Sequence, residues 1–203
     1  MIRVRSVNVG HAIAIAAKSG RSGIDKRPVT SIEIGVEGVA DDVIVDTDNH
    51  GGPEQAVYAY CRSDYGWWAE TLGREMPDGL FGENLTLEGV ESADFHIGDV
   101  LEIGAVRLQV TSPRVPCVTL AARMGDPGFV KAFHKAARFG PYFRVLDPGR
   151  ITAGAEARMI PFDGERLPIA AMAALGPVAR LSEAERVRWR AVPVHAALRR
   201  DLG

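Results

Sequence analysis

Short runs of alternating hydrophobic and polar residues, separated by glycine and proline, dominate the first 160 residues. Ile32, Ile34 and Val36 alternate with polar or small neighbours, which is the period of a strand with one buried face. Residues 100–103 and 106–111 flank a Gly-Ala pair and predict a β-hairpin. Strands this short and this frequent favour a barrel or a sandwich over a helical bundle.

The same pattern predicts the remaining elements of this region. Further strands are expected at 1–5, 43–45 and 56–60, and a last pair at 142–146 and 155–160, joined through 147–149. Two helices are expected, at 64–72 with Gly73 as its stop, and at 127–138 with Asp126 as its N-cap.

The pattern becomes helical after about residue 165. Residues 169–175 are alanine-rich, Ser182 with Glu185 fits a capping box that opens a second helix, and residues 194–202 predict a third. We therefore expect a β domain over 1–164 and a small helical appendage over 165–203, whose late arginines form a solvated face.

Composition and charge bound the class of protein. The chain has 203 residues, is 46% hydrophobic and carries a net charge of −2, which fits one globular domain with a small appendage. Without a basic excess, nucleic acid is not expected as a partner. No apolar stretch reaches about 18 residues, and the N-terminus lacks the features of a signal peptide. Two cysteines form no disulfide framework, so a cytoplasmic location is expected.

The segment Pro-Arg-Val-Pro-Cys at 113–117 is the strongest candidate for chemistry. Arg114, or a helix beginning at Cys117, would lower the pKa of the thiol and favour the thiolate, the form that attacks or binds a soft metal. The alternative is that Cys117 is a small buried hydrophobe. Cys61 lacks such neighbours and is expected in the core, while a Cys61–Cys117 disulfide stays open.

Three other segments combine glycine with polar residues. They are His-Gly-Gly-Pro at 50–53, Phe-Gly-Glu-Asn at 81–84 and Gly-Pro-Tyr-Phe-Arg at 140–144. Each can hold a ligand, through backbone N–H groups, an amide or a guanidinium. Each can also be purely structural, as a turn, a braced loop or a solvated arginine.

Motifs for other cofactors are missing from the sequence. No His or Cys pair has the spacing of a zinc site, and no lysine lies in an evident Schiff-base motif. A zinc site, pyridoxal phosphate, haem, flavin and iron–sulfur clusters are therefore not expected.

Taken together and in this order, four segments resemble the MOSC domain, named for the C-terminal domain of molybdenum cofactor sulfurase. They are residues 50–58, 81–86, 97–99 and 113–117. The closer resemblance is to the bacterial YiiM-like subfamily, in which a short helical domain follows the barrel. The resemblance covers about residues 2–160 well and the tail loosely.

This resemblance implies a mainly β fold with helical decorations, a mixed β-barrel followed by the C-terminal helical appendage. It also implies a cytoplasmic protein that handles molybdenum cofactor (molybdopterin) or its sulfur. By motif, Cys117 becomes the expected thiolate ligand of molybdenum, or the carrier of a sulfide. The other residues that the resemblance places at the cofactor are Arg114, His50, Gly51, Gly52, Glu83, Asn84 and, more weakly, Arg144.

Several functions remain open. The first is an oxidoreductase that reduces small N-hydroxylated compounds with electrons from a separate reductase. The second is a sulfur carrier with a persulfide on Cys117 and a sulfur-donor partner, and the third is a non-catalytic protein that stores or delivers the cofactor. A cysteine hydrolase would require His50 within hydrogen-bond reach of Cys117 and a third group that orients the imidazole. No nucleic acid or membrane partner is expected, and the protein is expected to be a monomer or a homodimer.

Overall fold

The computed structural model describes residues 1–16, 20–47 and 50–203. Its strands are β1 Ile2–Gly10, β2 Ile13–Ala14, β3 Arg21–Ser22, β4 Lys26–Val29, β5 Ser31–Gly35, β6 Gly38–Val39, β7 Val57–Cys61, β8 Leu85–Glu88, β9 Val100–Ile103, β10 Val106–Pro113, β11 Pro141–Asp147, β12 Gly149–Thr152 and β13 Glu156–Ile160. Its α-helices are α1 Arg62–Leu72, α2 Val118–Met124, α3 Phe129–Ala136, α4 Ile169–Ala173, α5 Glu183–Arg190 and α6 Ala196–Leu202.

Seven strands close into a barrel. Their order is β13-β9-β10-β11-β7-β8-β1, and β13 pairs with β1 to complete the ring. The pair β7–β8 is parallel, while the other pairs of the ring are antiparallel. β4 extends the sheet beside β1. The predicted mixed β-barrel with helical decorations is therefore confirmed, and closure leaves the ring without a free edge.

Strand β7 is buried along its whole length, which explains its uninterrupted apolar sequence. Its Tyr60 ring lies 4.9 Å from the Phe81 ring, centroid to centroid. Trp68 of α1 stacks on Phe133 of α3 with ring centroids 5.7 Å apart. Aromatic side chains of α1, α3 and the segment before β8 thus pack together against β7.

Most of the predicted strands are present. The hairpin at 100–111 is formed by β9 and β10, with Val106, Leu108 and Val110 buried on one face. The helix at 64–72 is α1, and Gly73 ends it in the left-handed conformation.

Three expectations about single elements are wrong. Residues 43–45 form no strand, because they line a cleft instead. The strands predicted at 142–146 and 155–160 are not partners. They correspond to β11, which pairs with β10 and β7, and to β13, which pairs with β9 and β1. Between them in the sequence lies β12, which pairs with β5. The helix expected from residue 127 begins at Phe129, and its N-cap is Gly128 rather than Asp126. Helix α2 follows Cys117, where the sequence allowed the start of a helix as one of two ways to lower the pKa of the thiol.

The C-terminal segment packs against the barrel. Ile169, Trp189 and Leu202 belong to the same hydrophobic core as the strands. The side chain of the buried Asp99 accepts hydrogen bonds from the backbone N–H groups of His96 and Phe162 and pairs with Arg166. The predicted capping box of α5 is confirmed, since Ser182 and Glu185 bond each other reciprocally. The proposed boundary at residue 164 stays a prediction.

Among the described residues, no helix is long and apolar enough to cross a membrane.

Candidate functional site

A cleft opens at one end of the barrel and brings together distant parts of the sequence. It encloses about 720 Å³, its open mouth included. Individual residues from the segments 21–26, 43–46, 50–51, 55–58, 81–84 and 114–119 line its wall, together with Tyr142. His50, Asn84, Arg114 and Cys117, which lie far apart in the sequence, therefore share one site.

Cys117 lies at the point where β10 has ended and α2 begins, and it is the N-cap residue of α2. Burial of its Sγ raises the pKa of the thiol. A hydrogen bond with His50, the charge of Arg114 and the N–H of Leu120 lower the pKa by more, so that it lies at about 6 instead of near 9.0. At pH 7 a thiol with this pKa is roughly 90% thiolate.

His50 contacts Cys117 through its imidazole. Its Nδ1 lies 3.6 Å from Oδ2 of Asp46. The contact with Cys117 meets the first condition for a cysteine hydrolase, but 3.6 Å is too long for the direct hydrogen bond that would orient the imidazole.

Arg114 is buried in the wall of the cleft, with 4% of its surface exposed. Its guanidinium is hydrogen-bonded with Tyr142, and its carbon lies 5.7 Å from the centroid of the Tyr58 ring. Among the described residues, its Nε and Nη1 find no hydrogen-bond partner, and neither does the hydroxyl of Tyr58. Buried polar atoms without a partner are rare in folded proteins, so these atoms are available to a ligand or to a bound water.

Tyr58 and Tyr142 are neutral at physiological pH. Burial raises the pKa of both phenols, and the nearby charge of Arg114 opposes this effect without reversing it. Their rings are 5.2 Å apart, centroid to centroid. The two phenols therefore surround the Arg114 cation without neutralising it.

Asn84 also lines the cleft and is held by three hydrogen bonds. Its Oδ1 accepts from the backbone N–H of Tyr58 at 3.3 Å, and its Nδ2 donates to Oδ2 of Asp42 at 2.9 Å and to the backbone oxygen of Asn8 at 3.4 Å. Asp42 also pairs with the Lys26 ammonium and accepts from the N–H of Gly10 at 2.9 Å. The amide of Asn84 is thus a fixed part of the cleft.

The two predicted glycines have different positions. Gly51 lines the cleft in the left-handed region, with φ of 81°, and a Cβ there would lie 2.7 Å from Cδ1 of Ile44. Gly52 lies outside the wall, as the N-cap of the short 3-10 helix Pro53–Gln55. The pair therefore combines close packing of the wall at Gly51 with a turn at Gly52.

Glu83 lies away from the cleft, although its neighbour Asn84 lines it. Its buried carboxylate accepts from the N–H of Gly79 at 2.6 Å, from the Thr86 hydroxyl at 2.8 Å and from the Tyr65 hydroxyl at 2.8 Å. Glu83 thus braces the loop from 79 to 86, which is the structural alternative that the sequence left open.

Arg144 also lies outside the cleft wall. Its Nη2 donates to Oε2 of Glu54 at 2.7 Å and to the backbone oxygens of Pro193 and Val194 at 3.1 and 3.2 Å. It connects the 3-10 helix that follows Gly52 to the start of α6, and no described contact takes it to Cys117.

Both cysteines are free. Cys61 is fully buried in the core, as expected, and burial raises its pKa well above that of an ordinary thiol. Cys117 is the thiol that reaches the cleft.

Sequence reasoning missed Lys26, Asp42 and Gln55. All belong to the cleft or its supporting shell, and the buried Oε1 of Gln55 finds no partner among the described residues. Lys26 and Asp42 are separated by sixteen positions and form no local motif, so only the folded chain reveals the pair. Within the described residues, no group of three or more His, Cys, Asp or Glu side chains is arranged to hold a metal ion.

The family model of the MOSC domain matches residues 46–158, more than half of the chain. The Bacillus subtilis protein YflK is 37% identical over 160 residues, which cover 77% of this chain and 72% of that protein. The Escherichia coli protein YiiM is 30% identical over 135 residues, covering 63% of this chain and 57% of that one.

A longer relative from Gibberella moniliformis is named a reductase. It is 35% identical over 113 residues, which cover 53% of this chain but only 20% of the fungal protein. Among solved structures, YiiM from Geobacillus stearothermophilus superposes with a TM-score of 0.80 at 29% identity, covering 100% of this chain and 97% of the other. YiiM from Escherichia coli shares the fold with a TM-score of 0.76 at 20% identity, covering 100% of this chain and 90% of that one.

Proposed function

The chain belongs to the MOSC domain family as a YiiM-like member, and on this premise we propose that it binds molybdenum cofactor through Cys117 and reduces N-hydroxylated compounds. The observation that carries the proposal is the presence, in one cleft, of the Cys117 thiolate and of the buried Arg114 guanidinium, whose Nε and Nη1 find no partner among the described residues.

The Cys117 thiolate fits a molybdenum centre chemically. Thiolates are soft ligands, and a metal held by one protein thiolate needs further ligands, which the organic part of the cofactor can supply. The pKa of about 6 supports this role, because the sulfur is available for ligation at neutral pH without the loss of a proton. The hydrogen bond with His50 would fix the direction of the sulfur.

Arg114 fits the anionic part of such a cofactor. The Nε and Nη1 of this guanidinium, which lack a described partner, can each donate a charge-assisted hydrogen bond to an anionic group such as a phosphate. The Tyr58 hydroxyl lies beside it and also lacks a described partner. Together they would provide the donors that a buried phosphate requires, and the ligand would remove the cost of leaving these groups unpaired, about 1–3 kcal/mol each.

The name of the fungal relative supports a reductive activity. When bound, the cofactor supplies the two-electron chemistry that removes the hydroxyl oxygen of the substrate. The reaction consumes two electrons and two protons for each N–OH group and releases the amine and one water. The electrons would come from a separate reductase, and a reducing cytoplasm agrees with the two free cysteines.

A sulfur carrier is the second candidate, favoured by the same low-pKa thiolate at the cleft. The Cys117 thiolate would attack the outer sulfur of a donor persulfide, form a Cys117 persulfide and release the donor as a thiolate. This reaction needs a sulfur-donor protein and no molybdenum.

The test compares protein from a host that makes molybdenum cofactor with protein from a host that lacks the pathway. Each is supplied with a reduced viologen and an aromatic amidoxime, and amidine formation is followed by chromatography. We expect turnover only with the cofactor-making host, and none with the Cys117→Ser variant from that host. If neither preparation forms amidine and both carry sulfane sulfur on Cys117, the result would contradict the reductase and support the sulfur carrier.

A further inference from the structure

The cleft contains a further charged group that the proposed function does not use. Lys26 begins β4 and lines the cleft, yet only 9% of its side chain is exposed. Its ammonium pairs with Asp42, whose side chain is 5% exposed. A lysine whose ammonium is held in an ion pair inside a binding cleft is unusual, because the lysine ammonium is strongly hydrated and normally extends into solvent.

The surroundings of Lys26 weaken its hold on the proton. Burial lowers the pKa of the ammonium, and the charge of Arg114 acts in the same direction. The carboxylates of Asp42 and Glu83 oppose this effect, but the net direction is downward. Lys26 is therefore a better acid than an exposed lysine.

We propose that Lys26 is the proton donor for the reduction of the N-hydroxylated substrate. The inference rests on the proposed function and assigns to this chain one of the two protons that the reaction consumes. As the N–O bond breaks and two electrons arrive from the separate reductase, the Lys26 ammonium gives a proton to the departing oxygen, which leaves as water. The substrate nitrogen takes the second proton from solvent and becomes the product amine. The neutral side chain of Lys26 also takes a proton from solvent, which restores its ammonium.

Other polar groups of the cleft are poorer donors. The Arg114 guanidinium does not release a proton under physiological conditions. The phenols of Tyr58 and Tyr142 hold theirs more firmly than usual, since burial raises both pKa values. The His50 imidazole is already engaged with the Cys117 sulfur.

Asp42 and Asn84 act as positioning residues for this donor. Asp42 receives the Lys26 ammonium, the N–H of Gly10 and the amide of Asn84, so its carboxylate is fixed from three directions. The fixed carboxylate of Asp42 keeps the Lys26 side chain in the cleft after Lys26 has given up its proton. Lys26 is then in place to take up the next proton.

The first arm of the test needs no cofactor. The lysines are dimethylated with ¹³C-formaldehyde, and the methyl signals are followed by NMR against pH. Lys131 and Lys135 are exposed and serve as internal references, and the Lys26 signal is identified by its loss in Lys26→Arg. We expect Lys26 to titrate at lower pH than both references. Titration together with them would overturn the inference whatever the activity.

The second arm uses cofactor-loaded protein. Lys26→Arg keeps the cation and its ion pair but cannot release a proton, so kcat should fall by about 100-fold or more, with the molybdenum content and KM little changed. Lys131→Arg is the matched control and should behave as wild type. Should the larger guanidinium prevent folding, the double variant Lys26→Gln/Asp42→Asn replaces the ion pair by a neutral amide pair and should show the same loss.

The outcomes separate the two claims. Full kcat in Lys26→Arg or in the double variant, with active wild type, would overturn the role of Lys26 and leave the reductase intact. Wild type that holds molybdenum but reduces no N-hydroxylated compound would overturn the proposed function, and the donor role with it.

Discussion

The reactivity of Cys117 with iodoacetamide should be almost independent of pH between 7 and 9. A thiol with a pKa of about 6 is roughly 90% thiolate at pH 7 and fully so at pH 9, so its rate should rise by only about 1.1-fold. An ordinary thiol with a pKa of 9.0 changes from about 1% to about 50% thiolate over this interval, and its rate would rise about 50-fold.

The absolute rate at pH 7 is a weaker test than this ratio. The lower pKa raises the thiolate fraction about 90-fold, but it also reduces the nucleophilicity of the sulfur by roughly 15- to 30-fold for three pKa units. The net advantage is therefore only about 3- to 6-fold. The ratio of the rates at pH 9 and pH 7 cancels the nucleophilicity and reports the pKa alone.

The assay follows modification by mass spectrometry on cofactor-free protein. Cys61→Ser should keep the ratio near 1.1, because the buried Cys61 does not react in the folded state. His50→Leu removes the hydrogen bond to the sulfur and should raise the pKa of Cys117 by about one unit, which brings the ratio to about 2. A ratio of the rates at pH 9 and pH 7 near 50 in wild type would refute the low pKa of Cys117. A ratio in His50→Leu equal to that of wild type would refute the role of the His50 hydrogen bond.

Three further predictions concern stability. The pKa of Cys117 is lower in the folded than in the unfolded protein, so the unfolding free energy of cofactor-free protein should rise by about 2 kcal/mol from pH 6 to pH 8. The same stability is lost when the pH falls again. Denaturant titrations should show this pH dependence in wild type and not in Cys117→Ser. Asp99→Ala should cost about 3–5 kcal/mol in the same assay, since it leaves Arg166 and two backbone N–H groups without their buried acceptor, and a loss below 1 kcal/mol would contradict this. Gly66→Ala should raise stability by about 0.5–1 kcal/mol, because a Cβ at this position of α1 meets nothing within 4 Å. Gly140→Ala should prevent correct folding, because its Cβ would lie 2.1 Å from the backbone oxygen of Ala59. Equal stabilities of the two glycine variants would be inconsistent with the packing.

The strands were predictable where burial has a simple period. Val106, Leu108 and Val110 alternate with outward-facing residues, and β10 follows this pattern. The same reasoning failed at 43–45, where apolar residues line a cleft rather than a sheet. An apolar triplet is compatible with both environments, and only the surrounding fold decides between them.

The reactive thiol of the candidate site could be predicted from the sequence, but several residues around it could not. Asn84 and Glu83 are neighbours in one motif, but their side chains point in opposite directions, one to the cleft and the other to a braced loop. Lys26 and Asp42 carry no local signal at all. Their pairing depends on where β4 and the following loop meet, which the spacing of residues in the sequence does not encode.

The molybdenum content of the purified protein tests the central claim most directly. Wild type, Cys117→Ser and Cys61→Ser are prepared in parallel from a host that makes the cofactor, and molybdenum is measured by elemental analysis against protein concentration. We expect close to one molybdenum per chain in wild type and in Cys61→Ser, and almost none in Cys117→Ser. Molybdenum at the wild-type level in Cys117→Ser would contradict the assignment of Cys117 as the ligand.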